Sequence, residues 1–334
     1  MKKRLLNNLV VSEVGMGCMG LSHGYGEIPS EESSLDAIHA AYNAGCTFFD
    51  TAEAYSPNLQ GKGHNELILG KALKGIRQDV VLATKLHPVA AENMDKGTYQ
   101  MLKDHLTASM ERLQTDYIDL YYLHRVDRSI PVEDVAEGMG RLIKQGLIRG
   151  WGMSQVDVDT IEKAQRITPL SAIQNIYSMV ERSSEEKVIP YCIEHNIGVV
   201  PFSPVASGLL SGKVTRDTDF SHSDDVRKFV PQLSDENIAG NQPILDLLSE
   251  YAAKKNASMA QISLAWMLYK YPNIVPIPGS KNKGRILENL GAADVVLSKG
   301  EFDQLDLALN SLPVKGFRGH VEFQGGSMSD WGKK

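Results

Sequence analysis

Eight times along this chain a short apolar run gives way to a stretch with helical periodicity, and that alternation is the strongest constraint on its fold. The expected strands are 14–17, 47–50, 80–85, 117–124, 148–154, 172–177, 198–202 and 274–277. The expected helices between them are 31–44, 65–73, 98–113, 131–145, 158–166 and 184–196, with 283–291 after the eighth strand. Gly45 and Gly146 stand where helix C-termini want a glycine, and Pro131 stands where a helix tolerates a proline. Two further helices, 242–254 and 259–271, precede the last strand, and one more, 301–310, follows it. The pattern predicts a single (β/α)8 TIM barrel of the α/β class spanning residues 1–334, with extra C-terminal helices and long active-site loops. The polar segment 203–240 exceeds an ordinary connection, as lids and binding segments do. The glycine-rich stretch 313–334 is expected to be a flexible C-terminal flap.

Composition narrows the function classes. Hydrophobic residues make up 42% and charged residues 23%, with a net charge of -6, so neither a nucleic-acid surface nor an anionic-membrane surface is expected. The start, MKKRLLNNLVV, is basic, but Asn7 and Asn8 interrupt its apolar run and no cleavage site follows; it does not read as a signal peptide. No stretch is long and apolar enough for a transmembrane helix. Cys18, Cys46 and Cys192 make neither a metal-ligand spacing nor a disulfide framework, which favours a reducing, cytoplasmic setting.

Three expected strands end on polar side chains: Asp50, Lys85 and His124. A barrel aims such residues at one mouth, and Tyr55, five residues past Asp50, reaches the same place. A phenol beside an ammonium is expected to lose part of its usual pKa of ~10. Asp50 would hold the lysine and His124 would orient a carbonyl oxygen, which together make a general acid for reducing a carbonyl, with a hydride donor still required. Each residue alone reads more simply as a salt bridge or a satisfied polar group; the coincidence of four is what points to chemistry. His87, just past Lys85, is within reach of the same pocket, and the remaining histidines read as ordinary structural residues.

With those residues in view, the chain resembles the aldo-keto reductase family over nearly its whole length, in FFDTAEAYSPNLQGKGHNELILGKAL, VVLATK, YIDLYYLH, IRGWGMS, AIQNIYS, PFSPVASGLLSGK and IPGSKNKGRILENLGA. The resemblance implies a (β/α)8 barrel carrying NADPH at its C-terminal mouth. It makes Tyr55 the proton donor, Lys85 the group that tunes it, Asp50 the partner of Lys85, and His124 the group that orients the carbonyl of a small-molecule substrate. Ser154 with Gln155, and Gln174, would hold the nicotinamide carboxamide, Gln155 standing where Asn is commoner. Phe202 would stack on the nicotinamide ring. Ser203, Val205, Ser207 and Lys213 fall on the loop that covers the pyrophosphate. Gly279, Ser280 and Lys281 open a helix whose N-terminus favours anions, Arg285 follows on the same face, and Glu288 and Asn289 match the adenine contacts.

Gly15-Met16-Gly17-Cys18-Met19-Gly20 spells GxGxxG, yet it runs into a loop containing Pro29 where a dinucleotide-binding turn needs a helix. In the resembled family this stretch lies beside the cofactor, with Cys18 and Met19 as contacts. Two alternatives stay open: an NADPH-bound regulatory subunit with little turnover, and a metal-dependent barrel hydrolase using His87, His124 and Asp50. The loops carry no legible code for the substrate, and nothing fixes the oligomeric state.

Overall fold

The computed structural model describes residues 1–57 and 61–318. Its centre is a parallel sheet of seven consecutive strands in sequence order: β3 (Met16–Gly17), β4 (Phe48–Asp50), β5 (Val81–Leu86), β6 (Ile118–Leu123), β7 (Ile148–Ser154), β8 (Ala172–Gln174) and β9 (Gly198–Val199). The expected eighth strand is present as a closing segment. Val275 and Ile277 donate to Val199 and Pro201, while Gly15 and Gly17 donate to Pro276 and Pro278. These two prolines lack the N–H that would donate back to the first strand, so the seam is half-bonded and no continuous ladder forms there. Glycines make up for this by letting the backbones approach: a Cβ on Gly17 would lie 2.6 Å from the Ile277 carbonyl oxygen, and one on Gly279 would lie 2.8 Å from that of Gly17. The first two glycines of GxGxxG therefore serve barrel closure, and its last two residues enter a 3-10 turn at Met19–Leu21.

Seven of the twelve helices of the described residues follow the expected alternation, α1 (Glu31–Asn43), α2 (His64–Ala72), α4 (Thr98–Leu113), α5 (Val132–Lys144), α6 (Val158–Ile167), α7 (Val188–Glu194) and α11 (Lys283–Leu290), and α12 (Lys299–Ser311) is the further helix expected after them. α5 shows why: Val132, Val135, Ala136, Met139 and Leu142 recur at helical spacing and are buried, and Glu133 and Asp134 open the helix while Arg141 and Lys144 close it, complementing its dipole. α9 (Gln242–Lys255) and α10 (Met259–Lys270) precede the closing segment, α10 starting on a capping box between Ser258 and Gln261.

Three features depart from the sequence reading. An antiparallel hairpin, β1 (Lys3–Leu6) and β2 (Leu9–Ser12), turns at Asn7, which takes a φ of 55°. It plugs the end of the barrel away from the site: Arg4 donates to the carbonyls of Tyr271 and Ile274 at 2.6 and 2.9 Å. The extra helix α3 (Ala90–Lys96) lies in the loop after β5. The segment 203–240 is not a bare loop; it holds several 3-10 turns and the short helix α8 (Asp235–Gly240). The expected flap, 313–334, lies outside the described residues from 319 onward.

The core has two parts. Leu6, Leu9, Phe48, Ala83, Leu120, Tyr122, Ala172, Val200, Val275 and Ile277 fill the barrel, and a larger cluster packs the sheet against the helices. Alternation along each strand decides which side a residue joins. Phe48 points in, Phe49 out and Asp50 in. The same parity carries Ala83 to Lys85, Tyr122 to His124, Ala172 to Gln174 and Val200 to Phe202, so the polar strand ends converge inside the mouth.

Candidate active site

A cavity of about 380 Å³ opens at the C-terminal ends of the strands. Beneath it Lys85 is fully buried. Its ammonium forms a close ion pair with Asp50 Oδ1, donates to the Thr51 carbonyl at 2.8 Å, and lies 3.3 Å from the Tyr55 hydroxyl. The other Asp50 oxygen accepts from Gln174 Nε2 at 2.8 Å. The His124 ring meets the Tyr55 ring edge-on, centroids 5.8 Å apart, and the His87 ring lies 4.3 Å from that of His124.

The electrostatics correct one expectation. Burial pushes the Tyr55 phenol above its ordinary value; Lys85 does pull it down, as expected, but desolvation is larger and the Asp50 carboxylate adds to it. The resting phenol thus keeps its proton, the form a general acid requires. Burial opposes the charge on Lys85 too, but Asp50 and Tyr55 hold the ammonium above the usual lysine range. Burial, then the neighbouring His87, Arg125 and Lys85, hold His124 well below its ordinary value, and His87 is lowered to about 4 by burial and by Arg125, so both rings are neutral near pH 7. His124 Nδ1 and His87 Nε2 are buried without a hydrogen-bond partner among the described residues.

Parity sorts the other candidates. Met19, Ser154, Gln174, Phe202, Ser203, Val205, Ser207, Lys213, Gly279, Ser280, Lys281, Arg285, Glu288 and Asn289 all line the cavity, together with Asp50, Tyr55 and His124. Cys18 does not; one residue past an inward glycine, it is buried in the sheet–helix core and its thiol donates to the Met16 carbonyl at 3.5 Å. Gln155 does not either: with φ at 56° it turns back, and its side-chain oxygen accepts from the Ile176 N–H at 3.2 Å.

At the far end of the cavity the loop after Phe202 is wound into left-handed conformations at Ser203, Ala206 and Ser207, with φ of 51°, 48° and 55°. Non-glycine residues hold such angles at a cost, and clusters of them mark binding loops. Ser207 Oγ is buried there with no partner among the described residues. Lys213 pairs with Glu288 at 2.7 Å. Lys281 donates to the carbonyls of Tyr25 and Glu27 at 3.0 and 2.6 Å. Arg285, facing the cavity from the first turn of α11, has no ion pair or side-chain hydrogen bond among the described residues.

Sequence reasoning missed His23, Tyr25, Arg125, Arg227 and Arg318 in the wall. Arg125 was within reach, since it directly follows a strand-end histidine. The others arrive through loop packing: Tyr25 bridges to Asp225, His23 bonds Asp224 at 2.6 Å, and Arg318 donates to Ser203 Oγ at 3.3 Å.

A profile of the aldo/keto reductase family matches residues 13–310. This chain belongs to the aldo/keto reductase family. Within the family it is 34% identical over 325 residues to the probable aldo-keto reductase 1 of Glycine max, covering 96% of this chain and 91% of that one. Among solved structures, this aldo-keto reductase superposes on the glycerol dehydrogenase of Gluconobacter oxydans with a TM-score of 0.81 at 25% identity, covering 94% and 97% of the two chains. It also matches an aldo-keto reductase of Klebsiella pneumoniae solved in complex with NADPH, at a TM-score of 0.72 and 27% identity over 95% and 99%.

Proposed function

We propose that this chain is an NADPH-dependent reductase of aldehydes and ketones that works as one barrel domain, with Tyr55 as general acid. The observation that carries the reading is the buried ammonium of Lys85 set between Asp50 and the Tyr55 hydroxyl at the base of the cavity. Tyr55 gives its proton to the oxygen of the reduced carbonyl. Lys85 stabilises the phenolate left behind, and Asp50 keeps Lys85 charged and aimed. His124, neutral, turns a ring N–H toward the same oxygen. When bound, NADPH supplies the hydride. The residues present fit it: Phe202 offers a stacking face beside Ser154 and Gln174, and the strained loop leaves Ser207 Oγ without a partner where an anion would sit. Arg285, without an ion pair or side-chain hydrogen bond among the described residues, is the cation offered to the extra phosphate that separates NADPH from NADH. The NADPH complex of the Klebsiella pneumoniae relative supports the same choice of cofactor.

The hydrolase alternative draws no support from the geometry. Asp50 is committed to Lys85 and Gln174, and no group of three or more His, Cys, Asp or Glu side chains among the described residues is placed to share an ion. The test is loss of NADPH absorbance across a panel of aldehydes and ketones. Steady consumption with alcohol formed in equal amount is expected; tight NADPH binding with no turnover of any carbonyl would favour a regulatory subunit.

A further inference from the structure

Arg125 stands out among the arginines. The partly buried arginines of the framework each face a carboxylate: Arg77 meets Asp119 at 2.8 Å, Arg112 meets Glu66 at 2.6 Å and Arg182 meets Glu185 at 2.7 Å. Arg125 forms no ion pair with any described residue. One end of its guanidinium is fixed, Nη1 donating to the His124 carbonyl at 2.5 Å and to Ser154 Oγ at 3.0 Å. Its Cζ lies 5.9 Å from the centre of the Phe202 ring. The rest of the planar fork faces the cavity beside Tyr55, whose phenol feels its charge, as do His87 and His124. Arg318, a second cavity arginine without a carboxylate among the described residues, bonds Ser203 at the other end, where the nucleotide's own phosphates are proposed to lie.

We propose that Arg125 is the specificity-determining residue of the substrate pocket and that the preferred substrates are aldehydes or ketones bearing a carboxylate near the carbonyl. This rests on the carbonyl-reductase reading above. A partly buried cation without a counter-charge is unfavourable, and an arriving carboxylate reduces that cost while filling the fork in a two-bond geometry. The hydrogen bonds to His124 and Ser154 hold the fork in place beforehand, so little freedom is lost on binding. With the carboxylate on Arg125 and the carbonyl oxygen on Tyr55, the substrate is gripped at two points on one wall.

The experiment compares 4-carboxybenzaldehyde with its methyl ester, methyl 4-formylbenzoate, in wild type, Arg125→Gln and Arg125→Lys. Wild type is expected to favour the acid at least about 10-fold in kcat/KM. Arg125→Gln should erase that preference chiefly through KM, and Arg125→Lys should keep part of it. If Arg125→Gln lowers both substrates alike, or wild type prefers the ester, the assignment is wrong and Arg125 serves only to position Ser154. If wild type consumes neither aldehyde, the carbonyl panel decides the reductase reading separately, and calorimetric titration with benzoate and benzamide still decides the anion site. Benzoate should bind wild type about 10-fold more tightly than benzamide, and equally to it in Arg125→Gln; equal binding in wild type overturns the proposal.

Discussion

The two ends of the cavity are built on opposite principles. At the reactive end Asp50, Lys85 and His124 sit on strand ends, exposed by 2%, 0% and 7%; Asp50 and Lys85 bond each other, Gln174, the Tyr55 hydroxyl and the backbone, and His124 packs on the rings of Tyr55 and His87. At the proposed nucleotide end, Lys213, Lys281 and Arg285 come from a loop and a helix N-terminus and lie largely in solvent. Lys213 is paired with Glu288, and Lys281 is bonded to two carbonyls, so their charges partly serve the fold. The buried end depends on a few strong, mutually dependent contacts, whereas the exposed end draws on several weak ones that substitute for each other.

The sharpest test of that contrast is Tyr55→Phe. Removing the proton donor should cost about 10²–10⁴ in turnover while the NADPH dissociation constant, read by fluorescence quenching, stays put. Near-normal turnover would dissolve the distinction. Lys85→Met comes next. Because it strands the Asp50 carboxylate in the interior, it should cost about 3–5 kcal/mol of stability as well as activity, seen as a lower midpoint in denaturant. Pairing it with Asp50→Asn should recover much of the stability and none of the turnover.

Effects at the exposed end should be smaller. Arg285→Ala is expected to weaken NADPH roughly 10- to 100-fold and NADH hardly at all. Equal losses for both cofactors would make Arg285 a structural residue. Smallest is the pH response. His87 titrates near 6.5 in the unfolded chain and is lowered to about 4 in the native one. Its contribution to stability is therefore complete above about pH 6.5 and is lost as pH falls toward 4, roughly 1 kcal/mol by pH 5.5. His105 runs the other way: burial lowers it, but Glu53 outweighs burial and raises it, so its contribution is full at low pH and fades as pH rises through the raised value. Melting temperatures of His87→Gln and His105→Gln between pH 5 and 8 should bend in opposite directions relative to wild type.

Much of the reactive end is legible in the order of residues along the chain. Asp50, Lys85 and His124 stand out as polar ends of apolar runs, and Tyr55 lies in the loop next to one of them. Strand parity is legible as well and sets Cys18 and Gln155 apart from the inward-facing residues. The hairpin is hidden because Asn7-Asn8 reads equally as a break or as a turn, and only the folded barrel gives those strands somewhere to dock, with Leu6 and Leu9 in its core and Arg4 on the carbonyls of Tyr271 and Ile274. α3 escapes notice because none of its residues is buried, which leaves no apolar period to find.

The sequence by itself determined the alternation of strand and helix, the residue at each strand end and hence the set of groups that meet at the mouth, because period two and period 3.6 are properties of the local chain. The tertiary structure alone decided which charges remain free. Whether Lys281 points at a phosphate or at the carbonyls of Tyr25 and Glu27 depends on contacts across more than 200 residues, and whether Arg125 meets a carboxylate depends on which side chains the barrel folds into the cavity wall. The rise in the Tyr55 phenol belongs to the same class, since desolvation is set by everything packed around a group and cannot be read from the lysine beside it.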